Sequence, residues 1–221
     1  MIELPNVTLA ILTSVGIEPS IAALQHSCRG VNWGNVKFIS HEKPENLPSE
    51  VKFSQCPRMN NIDDWNKASI YELPKHIDTE FLMLIHADGF VVNPESWRDE
   101  FLDYDYIGAP WPLPSDHISF KDIKGDVIRV GNSVSLRSKK LLNVPIDRNL
   151  EWKSFHGYYN EDGYICVNYR HEYLNAGCNY ADINVAKYFS HETMIPEVKG
   201  IKPFAFHRHF GSNYVYPNFG K

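Results

Sequence analysis

Residues 81–92, FLMLIHADGFVV, place an imidazole and an acid directly after an apolar run. The five uninterrupted apolar residues predict a short buried strand. His86 and Asp88 follow it, and Gly89 turns the chain into a second apolar run. Because a buried charge is costly unless it is paired or bound to a metal, these two side chains indicate a polar site at the end of the strand. The same residues are equally compatible with a structural role, in which Asp88 caps the turn at Gly89.

Strand and helix patterns alternate upstream of this stretch. Apolar and β-branched runs predict strands at 7–15, 35–41 and 50–56, and helical spacing predicts helices at 20–28 and at 63–77, the latter broken near Pro74. Such alternation is typical of an α/β fold with a mixed, mostly parallel sheet flanked by helices. Ligands of open α/β sheets bind beyond the carboxyl ends of the strands, which is where His86 and Asp88 are expected.

The downstream half has a less regular pattern. It predicts helices at 95–104 and 160–174, a strand at 104–111, an irregular loop at 112–126, a strand followed by a short helix within 127–142, and late extended segments at 185–192 and 202–211. The glycine at 131, in the segment VGNSVSLRS, is expected to let the backbone approach a ligand closely.

Composition argues against nucleic-acid binding. The chain has 221 residues, a size that suits one domain, and a net charge of −5 at pH 7. Arg137, Lys139 and Lys140 form the nearest approach to a basic cluster, and we expect them to be a solvated surface. Binding to a nucleic acid requires clustered positive charge that displaces its counterions, and this chain has too little of it.

Cysteine spacing and hydropathy bear on the compartment. No cysteine pair has CxxC spacing, which argues against a structural zinc site. The start of the sequence, MIELPNVTLAILTSVG, has no leading basic region, and no apolar run is long enough to span a bilayer. We therefore expect a soluble, cytoplasmic protein with reduced thiols and no transmembrane segment. The four thiols belong to Cys28, Cys56, Cys166 and Cys178.

The segment YNEDGY opens the predicted helix at 160–174. Asn160 is a good N-cap, and Glu161 and Asp162 stand where the helix dipole favours anions, so helix-start chemistry alone explains them. Asp162 nevertheless shares the apolar face of the helix, at spacings of three and four residues, with Ile165, Cys166, Tyr169 and Tyr173. A carboxylate directed at a sheet end is a candidate general base, which the helix N-terminus is expected to keep ionised.

Four ordered segments resemble a known family. LIHADGFVVNPESWRDEFLDYDYIGAPW, RVGNSVSLRS, YNEDGYIC and PFAFH are similar to segments of a small family of GT-A-type glycosyltransferases found in bacteria and large viruses. The resemblance covers residues 80–209. It implies a single GT-A-like domain over 1–221, with a Rossmann-like nucleotide-sugar-binding half near 1–92 and an acceptor-binding and catalytic half near 93–221.

The resemblance implies a metal site. Asp88 matches the acid of the metal-binding Asp-x-Asp signature, while His86 and Ala87 take the two preceding positions on the donor side. His207 matches the late histidine that completes the site. His209 remains an alternative ligand, because two side chains at this spacing in a strand face the same side.

The resemblance also implies catalytic and acceptor residues. Asp162 matches the base of inverting enzymes, with Glu161 beside it in the same motif. Gly131, Asn132 and Ser133 match a glycine-rich segment that lines the donor and acceptor sites, although this chain has Ser-Val where the family has two glycines.

Further candidates come from position. By the carboxyl-end rule, Thr13, Ser14 and Val15 are expected to hold the nucleotide base. Lys67, on a helix, is a candidate for a phosphate contact, although a solvated lysine is the commoner outcome. Four aromatic residues, which serve equally well in a core, are candidates for stacking on a sugar face: Tyr106, Trp111, Tyr158 and Tyr159.

These expectations amount to a metal-dependent glycosyltransferase, of the hexosyl- or deoxyhexosyltransferase type. It moves a sugar from a nucleoside-diphosphate sugar to a hydroxyl of a glycan or other acceptor, with inversion. A ligand set of oxygen atoms and one imidazole suits Mn²⁺ or Mg²⁺. The cation would stabilise the diphosphate leaving group. One alternative is a catalytically silent sugar- or nucleotide-binding module on the same fold. The other is a nucleotidyltransferase. The turn after the first strand, TSVGIEPS, argues against it because this turn lacks a basic residue.

Overall fold

The computed structural model describes residues 1–116, 119–153, 160–207, 216–217 and 219. Its strands are β1 Ile2–Leu12, β2 Val31–Ser40, β3 Lys52–Gln55, β4 Phe81–Ile85, β5 Tyr106–Pro110, β6 Val130–Ser138, β7 Ser190–His191 and β8 Ala205–Phe206. Its α-helices are α1 Ile17–Ser27, α2 Ile62–Lys67, α3 Lys139–Asp147, α4 Glu161–Gly163, α5 Arg170–Asn175 and α6 Ile183–Phe189. Two π-helical segments, Ala68–Glu72 and Tyr164–Asn168, and four 3₁₀ segments, Leu73–His76, Pro94–Ser96, Asp99–Asp103 and Pro196–Val198, complete the described elements.

Six strands form one mixed sheet in the order β3-β2-β1-β4-β6-β5. The four strands β3, β2, β1 and β4 run parallel, and β6 is antiparallel to both β4 and β5. The α/β prediction of a mixed, mostly parallel sheet flanked by helices is therefore confirmed. A second sheet pairs β7 with β8 in parallel.

Burial explains why the central strands are so apolar. All five residues of β4 are buried, and so are the last six of β1. Their side chains alternate between two apolar clusters, so that Leu9 and Met83 pack on one side of the sheet and Ala10 and Leu84 on the other. A strand that is covered on both faces has no solvated side, so its sequence is a continuous run of apolar residues.

The parallel register brings two strand ends together. Ile11 of β1 pairs with Ile85 of β4, so Thr13 and His86 leave the sheet at the same edge. We call this the carboxyl edge. Within the described residues, no helix is long and apolar enough to cross a membrane. All four cysteines are free.

Several local predictions were wrong. Residues 95–104 form two 3₁₀ segments rather than one amphipathic helix. The predicted strand at 185–192 is mostly helix α6, because the Asp182 carboxylate caps it by accepting hydrogen bonds from the N–H groups of Asn184 and Val185. The helix at 160–174 is interrupted by a π-helical segment. Of the extended segment at 202–211, the described part forms only the two-residue β8.

Candidate functional site

A tight turn follows β4 at the carboxyl edge. The N–H of His86 donates to the carbonyl oxygen of Gly89 at 2.7 Å, and the N–H of Gly89 donates back at 3.2 Å. These main-chain bonds close the turn and place the Asp88 side chain at its tip, where it is 55% exposed. A Cβ atom at Gly89 would lie 2.7 Å from Val134 and 2.8 Å from the His207 ring, so only glycine allows this close packing.

His207 reaches the tip of this turn from β8. Its N–H donates to the carbonyl oxygen of His191 at 2.8 Å, which extends the β7–β8 pairing by one residue. Its Nε2 lies 3.7 Å from Asp88 Oδ1, and its Nδ1 lies 3.3 Å from Glu192 Oε1. The imidazole therefore stands between two carboxylates. Burial alone lowers the pKa of His207, but the contact with Glu192 and the charges of Asp88 and Asp162 outweigh it, so that this pKa is raised.

His86 supplies a second imidazole to the same place. Its ring centroid lies 5.3 Å from that of His207 and 5.0 Å from that of Trp65. Burial, and then the nearby charges of His207 and Arg137, hold the pKa of His86 well below its ordinary value. Its buried Nε2 makes no hydrogen bond within the described part of the chain. His86 is thus a neutral ring with one polar atom available at the site.

Asp162 lies in α4, and its carboxylate is electrostatically coupled to the same cluster. Its Oδ1 accepts a hydrogen bond from the N–H of Gly163 at 2.7 Å. Burial, followed by the charges of Glu161 and Glu192, raises the pKa of Asp162 from 3.8 to about 7. Desolvation thus opposes the ionisation that the helix N-terminus was expected to favour. The helix has only three residues, and no capping bond from Asn160 is found among the described atoms, so desolvation outweighs the dipole.

Glu161 and Arg137 form a buried ion pair. Arg137 Nη2 lies 2.9 Å from Glu161 Oε1, and the two side chains are 0% and 1% exposed. The prediction that Arg137 belongs to a solvated surface is wrong, because β6 carries it into the interior, where Glu161 neutralises it. Glu161 was predicted beside Asp162 as catalytic, but its carboxylate points into this pair and is closed to solvent.

The segment at 131–133 is covered rather than open. A Cβ atom at Gly131 would lie 1.9 Å from the Trp111 ring, which is itself only 6% exposed. The close approach predicted at Gly131 is thus made by Trp111 and not by a ligand. Tyr106 is fully buried, and its hydroxyl donates to the carbonyl oxygen of Asn132 at 2.6 Å. Both rings serve the core in this structure.

Asn132 has an unusual backbone and an unused donor. Its φ is 100°, in the left-handed region that non-glycine residues rarely adopt. Its Oδ1 accepts a hydrogen bond from the N–H of Val134 at 2.8 Å, while its Nδ2 is buried with no partner within the described residues. Such strain concentrates at binding and catalytic sites. Ser133, the next residue, is half-buried.

The donor-side candidates lie where β1 ends. The Thr13 hydroxyl accepts from the N–H of Val15 at 3.1 Å, and the Ser14 hydroxyl accepts from the N–H of Met59 at 3.0 Å. Val15 itself is exposed, as an open binding surface requires. Lys67 Nζ lies 2.7 Å from Asp63 Oδ2, and both side chains are about half exposed, which matches the solvated alternative for this lysine.

Some predicted residues cannot be placed. Tyr158, Tyr159 and His209 lie outside the described residues. Ala87 lies between His86 and Asp88 in the turn and is half-buried.

The geometry is compatible with a cation shared by Asp88 and His207. Two atoms bonded to one Mg²⁺ or Mn²⁺ at about 2.1 Å each lie at most about 4.2 Å apart, and the observed 3.7 Å satisfies this limit. Among the described residues, no three His, Cys, Asp or Glu side chains converge as a metal-binding group. Oxygen atoms of a bound ligand would have to supply the remaining coordination.

Glu192 was missed by sequence reasoning. It follows β7 directly, and the pairing of β7 with β8 brings it to His207. The only available signal was the His-Glu dipeptide at 191–192 in a segment predicted to be extended. Together the contacts bring the imidazoles of His86 and His207 and the carboxylates of Asp88 and Glu192 to one sheet edge, and the charge of Asp162 acts on His207 there.

Comparisons with known proteins identify a family and no activity. A family model described as "Protein of unknown function (DUF5672)" matches residues 47–207. No curated protein matches the sequence. Among solved structures, S. aureus TarS 1–349 is similar with a TM-score of 0.49 and 14% identity, over 92% of this chain and 60% of that chain.

Two further structures have similar scores. S. aureus TarS 1–349 in complex with UDP-GlcNAc has a TM-score of 0.48 and 12% identity, over 92% of this chain and 58% of that chain. The bifunctional IspDF from Campylobacter jejuni has a TM-score of 0.48 and 11% identity, over 82% of this chain and 49% of that chain. The chain thus spans only 49% to 60% of these longer chains, and at such identities and scores the likeness assigns it no activity.

Proposed function

The chain belongs to the DUF5672 family, and we propose that it is a metal-dependent glycosyltransferase that moves a sugar from a nucleoside-diphosphate sugar to an acceptor hydroxyl. The observation that carries this proposal is the contact of Asp88 with His207 at the carboxyl edge of a mostly parallel sheet, with the charge of Asp162 near enough to help raise the pKa of His207. This edge is where open α/β sheets bind ligands. A glycosyl transfer requires a cation for the diphosphate and a base for the acceptor, and this edge offers residues for both.

Asp88 and His207 would hold Mn²⁺ or Mg²⁺. When bound, the cation supplies Lewis-acid stabilisation of the charge that develops on the leaving diphosphate. Glu192 Oε1, 3.3 Å from Nδ1 of His207, would take the Nδ1 proton and leave Nε2 as the atom that faces Asp88. A carboxylate behind a metal-binding histidine commonly fixes the tautomer in this way. With two protein ligands, the affinity for the cation alone should be weak, and it should rise when a diphosphate is bound.

Asp162 would take the proton of the acceptor hydroxyl. A general base works best when its pKa lies near the working pH, and the pKa of Asp162 is raised to about 7. One general base together with one cation site suits direct displacement of the diphosphate by the acceptor hydroxyl, with inversion at the sugar. Nδ2 of Asn132, which has no partner among the described residues, offers a hydrogen-bond donor for an oxygen atom of either substrate. Thr13, Ser14 and the exposed Val15 line the end of β1 on the side expected for the nucleotide base.

The same observations bear on the alternative functions. A catalytically silent binding module would require no general base, and the buried Asp162, with its raised pKa, is more simply accounted for by an enzyme. A nucleotidyltransferase needs a basic residue in the turn after β1 to contact the triphosphate, and residues 13–20 contain none. The glycosyltransferase therefore accounts for more of the site.

The proposal is tested by ligand screening followed by product analysis. Thermal unfolding is measured with uridine, guanosine, cytidine and adenosine diphosphates and their sugar conjugates, each with and without Mn²⁺. We expect one nucleotide class to raise the midpoint temperature only in the presence of the cation. The sugar conjugate that binds should then release its diphosphate when candidate glycan acceptors are added. If no nucleotide binds with Mn²⁺, or if binding never leads to release, the proposed activity is wrong.

A further inference from the structure

The buried Arg137–Glu161 pair is expensive for the fold. Both side chains are almost completely inaccessible, and their shared contact is 2.9 Å long. Removing two charges from water costs several kcal/mol, and replacing a buried pair by apolar residues of similar size is often neutral or stabilising. Stability alone therefore does not explain why this chain has an ion pair here.

Polar groups of β6 itself and of the π-helical segment Ala68–Glu72 hold Arg137 in one orientation. Its Nε donates to the Ser135 hydroxyl at 2.9 Å. Weaker contacts of 3.4 Å join Nη1 to the Ser69 hydroxyl and Nη2 to the carbonyl oxygen of Ser133. The planar guanidinium is thus fixed before it meets Glu161.

Glu161 is held at two points. Its side chain is bonded to Arg137, and its main-chain N–H donates to the buried Asn66 side chain at 3.2 Å. Glu161 is the first residue of α4, and Asp162 is the second. α4 is the first turn of a helical run that continues directly into the π-helical segment Tyr164–Asn168. The N–H groups of a first turn have no partners within the helix, so the two bonds of Glu161 hold this run at its N-terminal end.

We propose that the Arg137–Glu161 pair is a positioning device that holds α4 so that the Asp162 carboxylate faces Asp88 and His207. The inference rests on the proposed function, since it concerns how the proposed base is aimed. Neither member of the pair is expected to touch substrate, because both are closed to solvent. The Glu161 charge also acts on Asp162 through space and contributes to the proton affinity that a base requires.

The test replaces the pair and asks whether the effect passes through Asp162. The double variant Arg137→Met, Glu161→Leu removes both charges together, so that neither is left unpaired. We expect it to fold, to bind the nucleoside diphosphate and Mn²⁺ within about threefold of the wild type, and to lose about 10²-fold in kcat, which is typical of a displaced catalytic group. The same double change in an Asp162→Asn background should cost nothing further, because the group that it positions is already absent.

A second variant separates geometry from charge. Glu161→Gln keeps an oxygen for Arg137, so the direction of α4 is retained while the negative charge is removed, at a cost in stability because the buried Arg137 loses its counter-charge. We expect its kcat to lie within about tenfold of the wild type and its pH–rate profile to shift to lower pH.

Each outcome has a defined reading. A double variant that is unfolded, or that turns over at the wild-type rate, would overturn the inference, and so would a loss of the same size in the Asp162→Asn background. Failure of the proposed function is distinct, because the wild-type protein would then transfer no sugar at all.

Discussion

Nε2 of His207 lies 3.7 Å from Oδ1 of Asp88, so the two-residue strand β8 and the turn after β4 contribute to one site. This contact depends on Gly89, whose missing side chain makes room for the His207 ring. It also depends on the β7–β8 pairing, which carries His207 to the carboxyl edge. The turn, rather than the strand itself, is therefore the part of residues 81–92 that carries the side chains of the proposed site.

Asp88→Ala should weaken cation-dependent nucleotide binding. The side chain is 55% exposed at the tip of a turn closed by main-chain bonds, so its removal should leave the fold intact. We expect the affinity for the nucleoside diphosphate in Mn²⁺ to fall roughly tenfold or more, as for lost metal contacts generally. Titration calorimetry, with and without Mn²⁺, measures the change. Asp103→Ala is the matched control, since Asp103 is an exposed acid that precedes β5 at the opposite edge of the sheet. Equal Mn²⁺-dependent affinities in the two variants would contradict the metal assignment.

Glu192→Gln should lower the pKa of His207. Glu192 lies 3.3 Å from Nδ1 and helps to raise this pKa, because a carboxylate stabilises the imidazolium form. Gln keeps the shape but not the charge, so the imidazole should lose its proton at a lower pH. Nitrogen chemical shifts of His207, followed by NMR through a pH titration without metal, measure the change directly. Glu197→Gln is the control, because that carboxylate is bonded to Arg129 instead. An unchanged His207 titration in Glu192→Gln would show that the contact does not govern this group.

The sheet and the turn after β4 could be predicted from the sequence, because both follow from local patterns of apolar and polar residues. The apolar run at 81–85 and the alternation before it have one simple explanation, a buried parallel strand in an α/β fold. Glu192 and Arg137 could not be found in this way. Glu192 depends on a pairing only two residues long, and the burial of Arg137 depends on Glu161, a partner on another element.

Helix α6 shows a different limit of sequence reasoning. Val185, Tyr188 and Phe189 favour strands, and their grouping led to the wrong prediction. The Asp182 cap and the burial of Ala186 and Phe189, three residues apart, favour the helix instead. Tertiary packing overrides a weak local preference here.

Gly131→Ala should destabilise the protein. The new methyl carbon would be 1.9 Å from the Trp111 ring, a contact that either the ring or the strand must relieve. We expect the free energy of unfolding to fall by about 1–3 kcal/mol, as for overpacked cores. Urea denaturation measures it.

The control for this variant is Gly125→Ala. At Gly125 a Cβ atom meets nothing within 4 Å, and only the φ of +87° resists substitution. A Gly131→Ala protein as stable as the wild type would mean that Trp111 moves aside readily. The segment at 131–133 would then be open to a ligand, as the sequence suggested.

Asp162→Asn should change both stability and activity, and the two effects have one cause. Folding raises the pKa of Asp162 from 3.8 to about 7, so the folded chain binds this proton more tightly than the unfolded chain. Its contribution to the free energy of unfolding is complete below the unfolded pKa and is lost as the pH rises through about 7. Asn has no proton to lose. The variant should therefore gain about 2–4 kcal/mol relative to the wild type between pH 4 and pH 8.

Urea denaturation of both proteins at the two pH values measures this gain, and the comparison at each pH cancels the titration of the groups that Asp162 does not influence. In the transfer reaction the ionised carboxylate is the active form, so the wild-type rate should rise with pH through about 7. Asp162→Asn should keep donor and cation binding but lose about 10²–10⁴ in rate. A stability difference that does not depend on pH would contradict the buried, proton-binding state of Asp162. Turnover within a few-fold of the wild type would remove its role as the base, and a product with retained anomeric configuration would exclude direct displacement even if Asp162 proved essential.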